Sequence, residues 1–110
     1  MILTTTPDVP GRTITRTLGL VRGATIRARH VGSDVVAVMR NLTGGEILEY
    51  TKMLAVAREE AIDRLEAEAR ALGADAVVAL RFETSTVMRG AAELMCYGTA
   101  VKLAAEDGDA

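Results

Sequence analysis

Apolar and polar residues alternate between Thr13 and Arg29 with a period of two, which is typical of a β-strand. Most apolar side chains share one parity, and threonines occupy the other. The apolar parity consists of Ile14, Leu18, Leu20, Ala24 and Ile26. Gly19 and Gly23 interrupt the alternation, which indicates a bulge, a bend or the close approach of another backbone. We predict one long strand here, preceded by a short strand over residues 1–6.

A period of three and four residues follows from Glu46 to Leu72 and predicts a long amphipathic helix. Its apolar positions are Ile47, Leu54, Ala57, Ala61, Leu65, Ala69 and Leu72. Gly73 stands where helices commonly end, because glycine adopts a left-handed conformation at little cost. A shorter helix is predicted over residues 34–42, after Ser33 as a plausible N-cap.

Two further strands, residues 76–88 and 92–103, are predicted to form a hairpin that turns within residues 88–91. The first strand should place three apolar side chains on one face, Val78, Leu80 and Phe82. The second strand is apolar at both parities, which is unusual for a strand with one face in water. Since one helix layer covers only one face of a sheet, we expect another copy of the chain to bury the other face.

These elements predict an α+β fold in which an antiparallel sheet packs on one long helix. The 110 residues suffice for a single domain, over residues 1–103, and the acidic segment 104–110 is predicted to be a disordered tail. Only 3% of the residues are aromatic, so the core consists of smaller aliphatic side chains. A domain with so little apolar area gains stability by burying more of it in a homo-oligomer.

The charge pattern excludes some partners. Thirteen basic and fifteen acidic residues give a net charge of -2, without the basic stripe that binding to nucleic acid requires. The sequence also lacks the run of about 18 apolar residues that a membrane-spanning helix needs. A single cysteine excludes an intrachain disulfide, and the first residues do not resemble a signal peptide. We therefore expect a cytoplasmic protein that binds neither nucleic acid nor membrane.

The sequence contains no recognisable catalytic motif. The single histidine, His30, has no context that suggests a triad, and neither a phosphate-binding loop nor a dinucleotide-binding glycine motif occurs. Paired carboxylates occur only as they do on any exposed helix face. We expect no catalytic residues.

The start of the long helix is the candidate binding or subunit-contact site. Thr43 and Glu46 fit a capping box, in which each side chain accepts a hydrogen bond from the other residue's amide. The box does not explain Gly44 and Gly45, since alanine would favour the helix by up to about 1 kcal/mol at each position. Their bare amides could contact a neighbouring subunit or a small anion, and both alternatives stay open. Tyr50 lies one turn after Glu46 and could close such a pocket, to which Asn41 would also belong.

Seven short motifs, in order along nearly the whole chain, resemble the YbjQ-like family. They are TTT at 4–6 with PG at 10–11, LGLVRG at 18–23, RNLTGGE at 40–46, YT at 50–51, AREEA at 57–61, LGADAVV at 72–78 and YGTAV at 97–101. The resemblance implies a small α+β subunit with a β-α-β-β core like that of a dodecin subunit, assembled as a ring-shaped homopentamer. The family is uncharacterised and carries a heavy-metal-binding label. Ala79 and Arg81 depart from its pattern, in which glycine and an acidic residue are common at these positions.

The label implies a heavy-metal ion as the cofactor, yet one chain offers few ligands for it. A soft or borderline metal prefers thiolate, imidazole or thioether ligands, about four in a structural zinc site. This chain has one histidine and one cysteine, and its methionines other than Met1 are predicted to pack in the core. Cys96 is expected to be a core residue. Only a ring that repeats Cys96 or Glu93 around a symmetry axis could form a site. Three classes of function therefore stay open: a ring-forming binding module, an enzyme with its site between subunits, and a purely structural assembly protein.

Overall fold

The computed structural model describes residues 1–28, 44–88 and 91–105. It confirms the α+β class. The strands are β1 (Ile2–Leu3), β2 (Ile14–Ala28), β3 (Ala76–Met88) and β4 (Ala91–Leu103), and the long helix is α1 (Gly44–Ala71). The predicted short helix over 34–42 lies outside the described residues, as does most of the predicted tail.

The four strands form one sheet in the order β1-β3-β4-β2. The two pairs that involve β4 are antiparallel, but β1 runs parallel to β3, with Ile2 opposite Ala76. The prediction of an antiparallel sheet is therefore wrong for β1, and the sheet is mixed. Hydrogen bonds from the Thr4 amide to the Val77 carbonyl and from the Leu80 amide to the Thr4 carbonyl continue this parallel contact, each at 3.0 Å. A strand of two residues has no period that could reveal its direction.

Most element boundaries agree with the sequence pattern. The helix begins two residues before the predicted start, because Gly44 and Gly45 form its first residues. The first strand is shorter than predicted, since Thr4–Thr6 forms a local turn in which the Thr6 amide donates to the Thr4 hydroxyl at 3.1 Å. Threonine hydroxyls compete in this way with strand pairing.

One face of the sheet packs against α1 and is called the inner face. Its core cluster consists of Val21, Ala61, Leu65, Ala69, Val77, Leu80, Cys96 and Ala100, all of them buried. Gly23 lies where α1 comes closest to β2: a Cβ atom at this position would be 2.0 Å from the Ala61 carbonyl oxygen. One expectation for Gly23 was the close approach of another backbone, and the helix supplies it. The hydroxyl of buried Thr25 donates to the Ala57 carbonyl at 3.2 Å and joins strand to helix further along.

A bulge in β3 overturns the prediction that Val78, Leu80 and Phe82 share a face. The register with β4 shifts between Val78 and Arg81, and Ala79 has a φ of 55°. Val78 packs on the face away from α1, whereas Leu80 belongs to the inner cluster. Gly98 of β4 lies opposite the bulge, where a Cβ atom would be 2.6 Å from Val77 Cγ1.

Replacing Ala79 by glycine is expected to stabilise the protein by up to about 1 kcal/mol. A left-handed conformation costs a residue with a Cβ atom roughly 1–2 kcal/mol, and glycine's greater loss of chain entropy offsets part of the gain. Urea unfolding at a fixed protein concentration measures the change. The matched control is Ala76→Gly in the same strand, which has no such angle and should destabilise. A loss of stability in Ala79→Gly would contradict the backbone strain inferred at Ala79.

Asp75 ties the turn after α1 to the end of β4. Its carboxylate accepts a hydrogen bond from the Leu103 amide at 2.9 Å and lies 3.6 Å from the Lys102 ammonium. The hydrogen bond from the Leu103 amide and the nearby Lys102 charge lower the pKa of Asp75. The Lys102 ammonium also donates to the Gly73 carbonyl at 3.0 Å, at the C-terminal end of the helix, where a cation is favourable.

Candidate functional site

The face of the sheet opposite α1 is the candidate interaction surface and is called the outer face. In β2 the side chains of Val21 and Thr25 are buried on the inner face. Leu20 and Ile26, of the opposite parity, therefore point away from the helix, and 62% and 61% of their surface is exposed. The mainly apolar parity of β2 thus lies on the outer face, except for Leu18, which the register shift before Gly19 brings to the inner cluster.

The strand register arranges the outer face in three cross-strand rows. The first row is Arg22, Tyr97 and Arg81, the second is Ala24, Met95 and Glu83, and the third is Ile26, Glu93 and Ser85. Tyr97 and Met95 are half-buried in the central strand. Opposite residues on one face lie close enough to interact, so the aromatic ring of Tyr97 has a basic residue on either side. The surface is apolar at its centre, and it carries both signs of charge.

The chain itself covers one end of the outer face. Val101 and Leu103 are buried there with Ala76 and Val78, and the partly buried Val9 and Ile14 pack against this second cluster. We predicted that another copy would bury this face of β4. At the C-terminal end of β4 that prediction is wrong, because Val9, which precedes β2, and Ile14, the first residue of β2, pack against this cluster. The uncovered part extends from Leu20 to Ile26 and across to Met95 and Tyr97.

The two weak metal-ligand candidates lie on opposite faces of β4. Cys96 is fully buried in the inner cluster, which confirms that it is a core residue, and its burial raises the pKa of the thiol. Glu93 lies on the outer face and is partly exposed. No group of three or more histidine, cysteine or acidic side chains that could hold a metal is present among residues 1–28, 44–88 and 91–105.

The predicted binding site at the helix start is only partly described. Gly44, Gly45, Glu46 and Tyr50 lie in the first two turns of α1, where the structure describes the backbone alone. Asn41 and Thr43 lie outside the described residues, as does His30. The capping box and the anion pocket therefore stay predictions. Within the described part of the chain, no helix has the length and hydropathy that crossing a membrane requires.

Comparisons with known proteins identify the family. A family model described as "Putative heavy-metal-binding" matches residues 1–104. A UPF0145 protein of Dehalococcoides mccartyi is 58% identical over 101 residues, which cover 92% of this chain and 97% of that one. A UPF0145 protein of Methanosarcina acetivorans is 54% identical over 103 residues, 94% of this chain and 97% of the relative.

A solved structure supports the fold. A Pediococcus pentosaceus protein of unknown function, from the DUF74 family, superimposes with a TM-score of 0.64, covering 94% of this chain and 98% of the other. At 21% identity this likeness concerns the fold alone. The matched family model and the close relatives decide the classification: the chain belongs to the YbjQ-like family of UPF0145 proteins.

Proposed function

We propose that this protein is a non-enzymatic binding module that assembles into a ring-shaped homopentamer by burying the outer face of its sheet. The observation that carries the proposal is the direction of the apolar parity of β2: Leu20 and Ile26 point away from the helix and are largely exposed. In a protein that stayed monomeric, a sheet face open to water would carry polar residues at these positions. The order β2-α1-β3-β4 also agrees with a β-α-β-β core like that of a dodecin subunit.

A second copy of the chain is the partner that fits this face best. The rows of the outer face include two arginines and two glutamates, Arg22, Arg81, Glu83 and Glu93, around apolar and aromatic side chains. A surface with balanced charge suits a protein of mixed charge better than a polyanion such as nucleic acid. Burying it also adds apolar area to a core that is poor in large side chains.

Unlike surfaces in contact favour a ring. The helix has its own exposed apolar residues, Leu54 and Val56, which are 40% and 54% exposed and lie away from the outer face. When the outer face of one subunit meets a different surface of the next, the contact is head-to-tail, and repeated head-to-tail contacts close into a ring where the rotation between neighbours divides a full turn. This arrangement supports the ring over a two-fold dimer.

The family description suggests a heavy-metal ion as the ligand. In the proposed assembly, such a site would combine residues of several subunits. Glu93 is the candidate ligand, because it lies on the outer face, whereas the Cys96 thiol lies under the helix. Metal analysis of untagged protein together with its native mass would test this part of the proposal. Metal in a fixed ratio to the ring supports it, and a metal-free ring would overturn the metal part of the proposal.

The double change Leu20→Asp and Ile26→Asp is expected to convert the oligomer into folded monomers. Both positions are exposed in the single chain, so water can solvate the new carboxylates there. In an interface, each unpaired buried carboxylate would cost several kcal/mol. Native mass spectrometry measures assembly, and circular dichroism checks the fold. Val101→Asp would be a poor choice, since Val101 is 1% exposed and its replacement would disrupt the chain's own core.

Leu72→Asp is the matched control. Leu72 is also an exposed leucine, at 47%, but it follows α1 and lies off the outer face. It should keep the native mass of the unaltered protein. The proposal would be overturned by an unaltered chain that is monomeric, or by a double variant that retains the full oligomer.

A further inference from the structure

Two charged side chains of α1 bind the backbone of β2 at the edge of the sheet. The Arg22 amide donates a hydrogen bond to Oε1 of Glu68 at 3.0 Å, and Nη1 of Arg64 donates to the carbonyl oxygen of Ala24. Strand β2 is the outermost strand on this side of the sheet, so its second edge has no neighbouring strand among the described residues. Helix side chains therefore occupy backbone groups that a further strand would use.

The alternation of an antiparallel strand shows why these groups matter. The amide and carbonyl of one residue point to the same side of the strand, and successive residues alternate between the two sides. Since the Arg22 amide and the Ala24 carbonyl point away from β4, the alternation assigns the backbone hydrogen bonds to β4 to Val21, Gly23 and Thr25. Arg22 and Ala24 lie midway along the edge. While helix side chains bind them, an added strand cannot form a continuous row of hydrogen bonds with β2.

The close packing at Gly23 brings the helix within reach of this edge. Without a side chain at Gly23, the α1 backbone at Ala61 and Leu65 lies directly on the strand. Arg64 and Glu68 are one helical turn apart and share a face of α1 beside these contacts. Their side chains can therefore extend past the inner face to the β2 edge while the helix stays seated on the sheet.

The opposite edge of the sheet differs. There the described backbone contacts of the N-terminal segment end at the Leu80 amide, which donates to Thr4. By the same alternation, the amides and carbonyls of Phe82 and Thr84 point toward the free side of β3. A sheet can grow from copy to copy without end only if each copy has two open edges, one that pairs with the preceding copy and one that pairs with the following copy. A closed β2 edge stops such growth after one addition.

We propose that Arg64 and Glu68 guard the β2 edge against pairing with a strand of a second copy of this chain. They leave the outer face, and not the β2 edge, for self-association. The guard is a separate property from the proposed ring, because it concerns the edge and would operate in a monomer as well. Natural sheets commonly protect their edges with charged side chains, and here the charges come from a helix.

The test compares two double variants of α1. The variant Arg64→Ala with Glu68→Ala removes the guard. The control, Glu66→Ala with Arg70→Ala, removes an ion pair of the same i, i+4 spacing that does not bind β2, in which Arg70 Nη2 lies 2.8 Å from Glu66 Oε2. Both leave the net charge unchanged. Light scattering and native mass over a range of concentrations should show larger, concentration-dependent species for the guard variant alone. Hydrogen exchange of the Arg22 amide should be about tenfold faster in Glu68→Ala than in Glu68→Gln, which keeps an acceptor oxygen.

A third substitution separates edge pairing from general loss of stability. Adding Arg22→Pro to the guard variant removes the edge amide without touching a bond to β4, so the combined variant should have the same mass as Arg22→Pro alone. Larger species that persist with Arg22→Pro would overturn the proposal. So would a guard variant with the mass and Arg22 exchange rate of the unaltered protein. If the double variant fails to fold, the exchange rates of Glu68→Ala and Glu68→Gln decide. A ring that is absent in the unaltered protein contradicts the proposed assembly only.

Discussion

Replacing Gly23 by alanine is expected to destabilise the protein by about 3 kcal/mol or more, at the upper end of what overpacking a core costs. The new Cβ atom would lie 2.0 Å from the Ala61 carbonyl oxygen and 2.5 Å from the Leu65 amide nitrogen. Both atoms belong to the backbone of α1, so no side-chain rotation can relieve the contact. The helix would have to move away from β2. Urea unfolding at a fixed protein concentration measures the loss of free energy.

The backbone nature of the contact supplies a sharp control. Ala61→Gly removes a methyl group but leaves the carbonyl oxygen in place, so it should not rescue Gly23→Ala. The displaced helix should also withdraw Glu68 from the Arg22 amide, which would then exchange faster with solvent. A Gly23→Ala variant as stable as the unaltered protein, with a protected Arg22 amide, would contradict this packing.

The sequence pattern predicts the long elements well because their periods are sustained. β3 matches its predicted boundaries, and β2, β4 and α1 differ from theirs by at most two residues at either end. The direction of β1 was mispredicted for a local reason, and so was the placement of Val78 on the same face as Leu80 and Phe82. β1 has only two residues, and the bulge at Ala79 reverses the parity within β3. A simple period of two cannot reveal a shift that depends on a single backbone angle.

The glycines illustrate how far sequence reasoning extends. Interruptions of the β2 pattern at Gly19 and Gly23 correctly indicated a bulge or a close approach. Gly19 has a φ of 127° beside a register shift, and Gly23 contacts the helix backbone. Which of the two played which role depended on where α1 crosses the sheet. The pair Gly44 and Gly45 starts the helix, and its proposed contact with a subunit or an anion stays a prediction.

The candidate site was only partly predictable from the sequence. The two-sided apolar pattern of β4 led us to expect an interface, but not that Val9 and Ile14 would cover one end of it. Leu20 and Ile26 were expected on the apolar parity of β2, yet no pattern shows which parity a helix will cover. Arg64 and Glu68 carried no signal at all, because an acid and a base on a helix surface usually form a solvated face.

Replacing Leu65 by alanine is expected to destabilise the protein by about 2–5 kcal/mol, the range measured for deleting buried leucine side chains. Leu65 is the largest fully buried side chain of the described residues and lies in the inner cluster between α1 and the sheet. Its neighbours there include Ala61, Ala69 and Ala100, which have no flexible atoms that could fill the space. The cavity should therefore stay largely open, and the cost should lie in the upper half of the range.

Leu72→Ala is the matched control for the same measurement. Leu72 is 47% exposed after the end of α1, so its truncation should change the free energy of unfolding by less than about 1 kcal/mol. The ratio of the two losses in unfolding free energy tests whether the buried face of α1 stabilises the protein more than apolar residues elsewhere on the helix do. Equal losses for Leu65→Ala and Leu72→Ala would mean that α1 does not pack as described. A larger loss for Leu65→Ala, with the native mass unchanged, would show that the chain's own core, and not the subunit contact, holds the helix on the sheet.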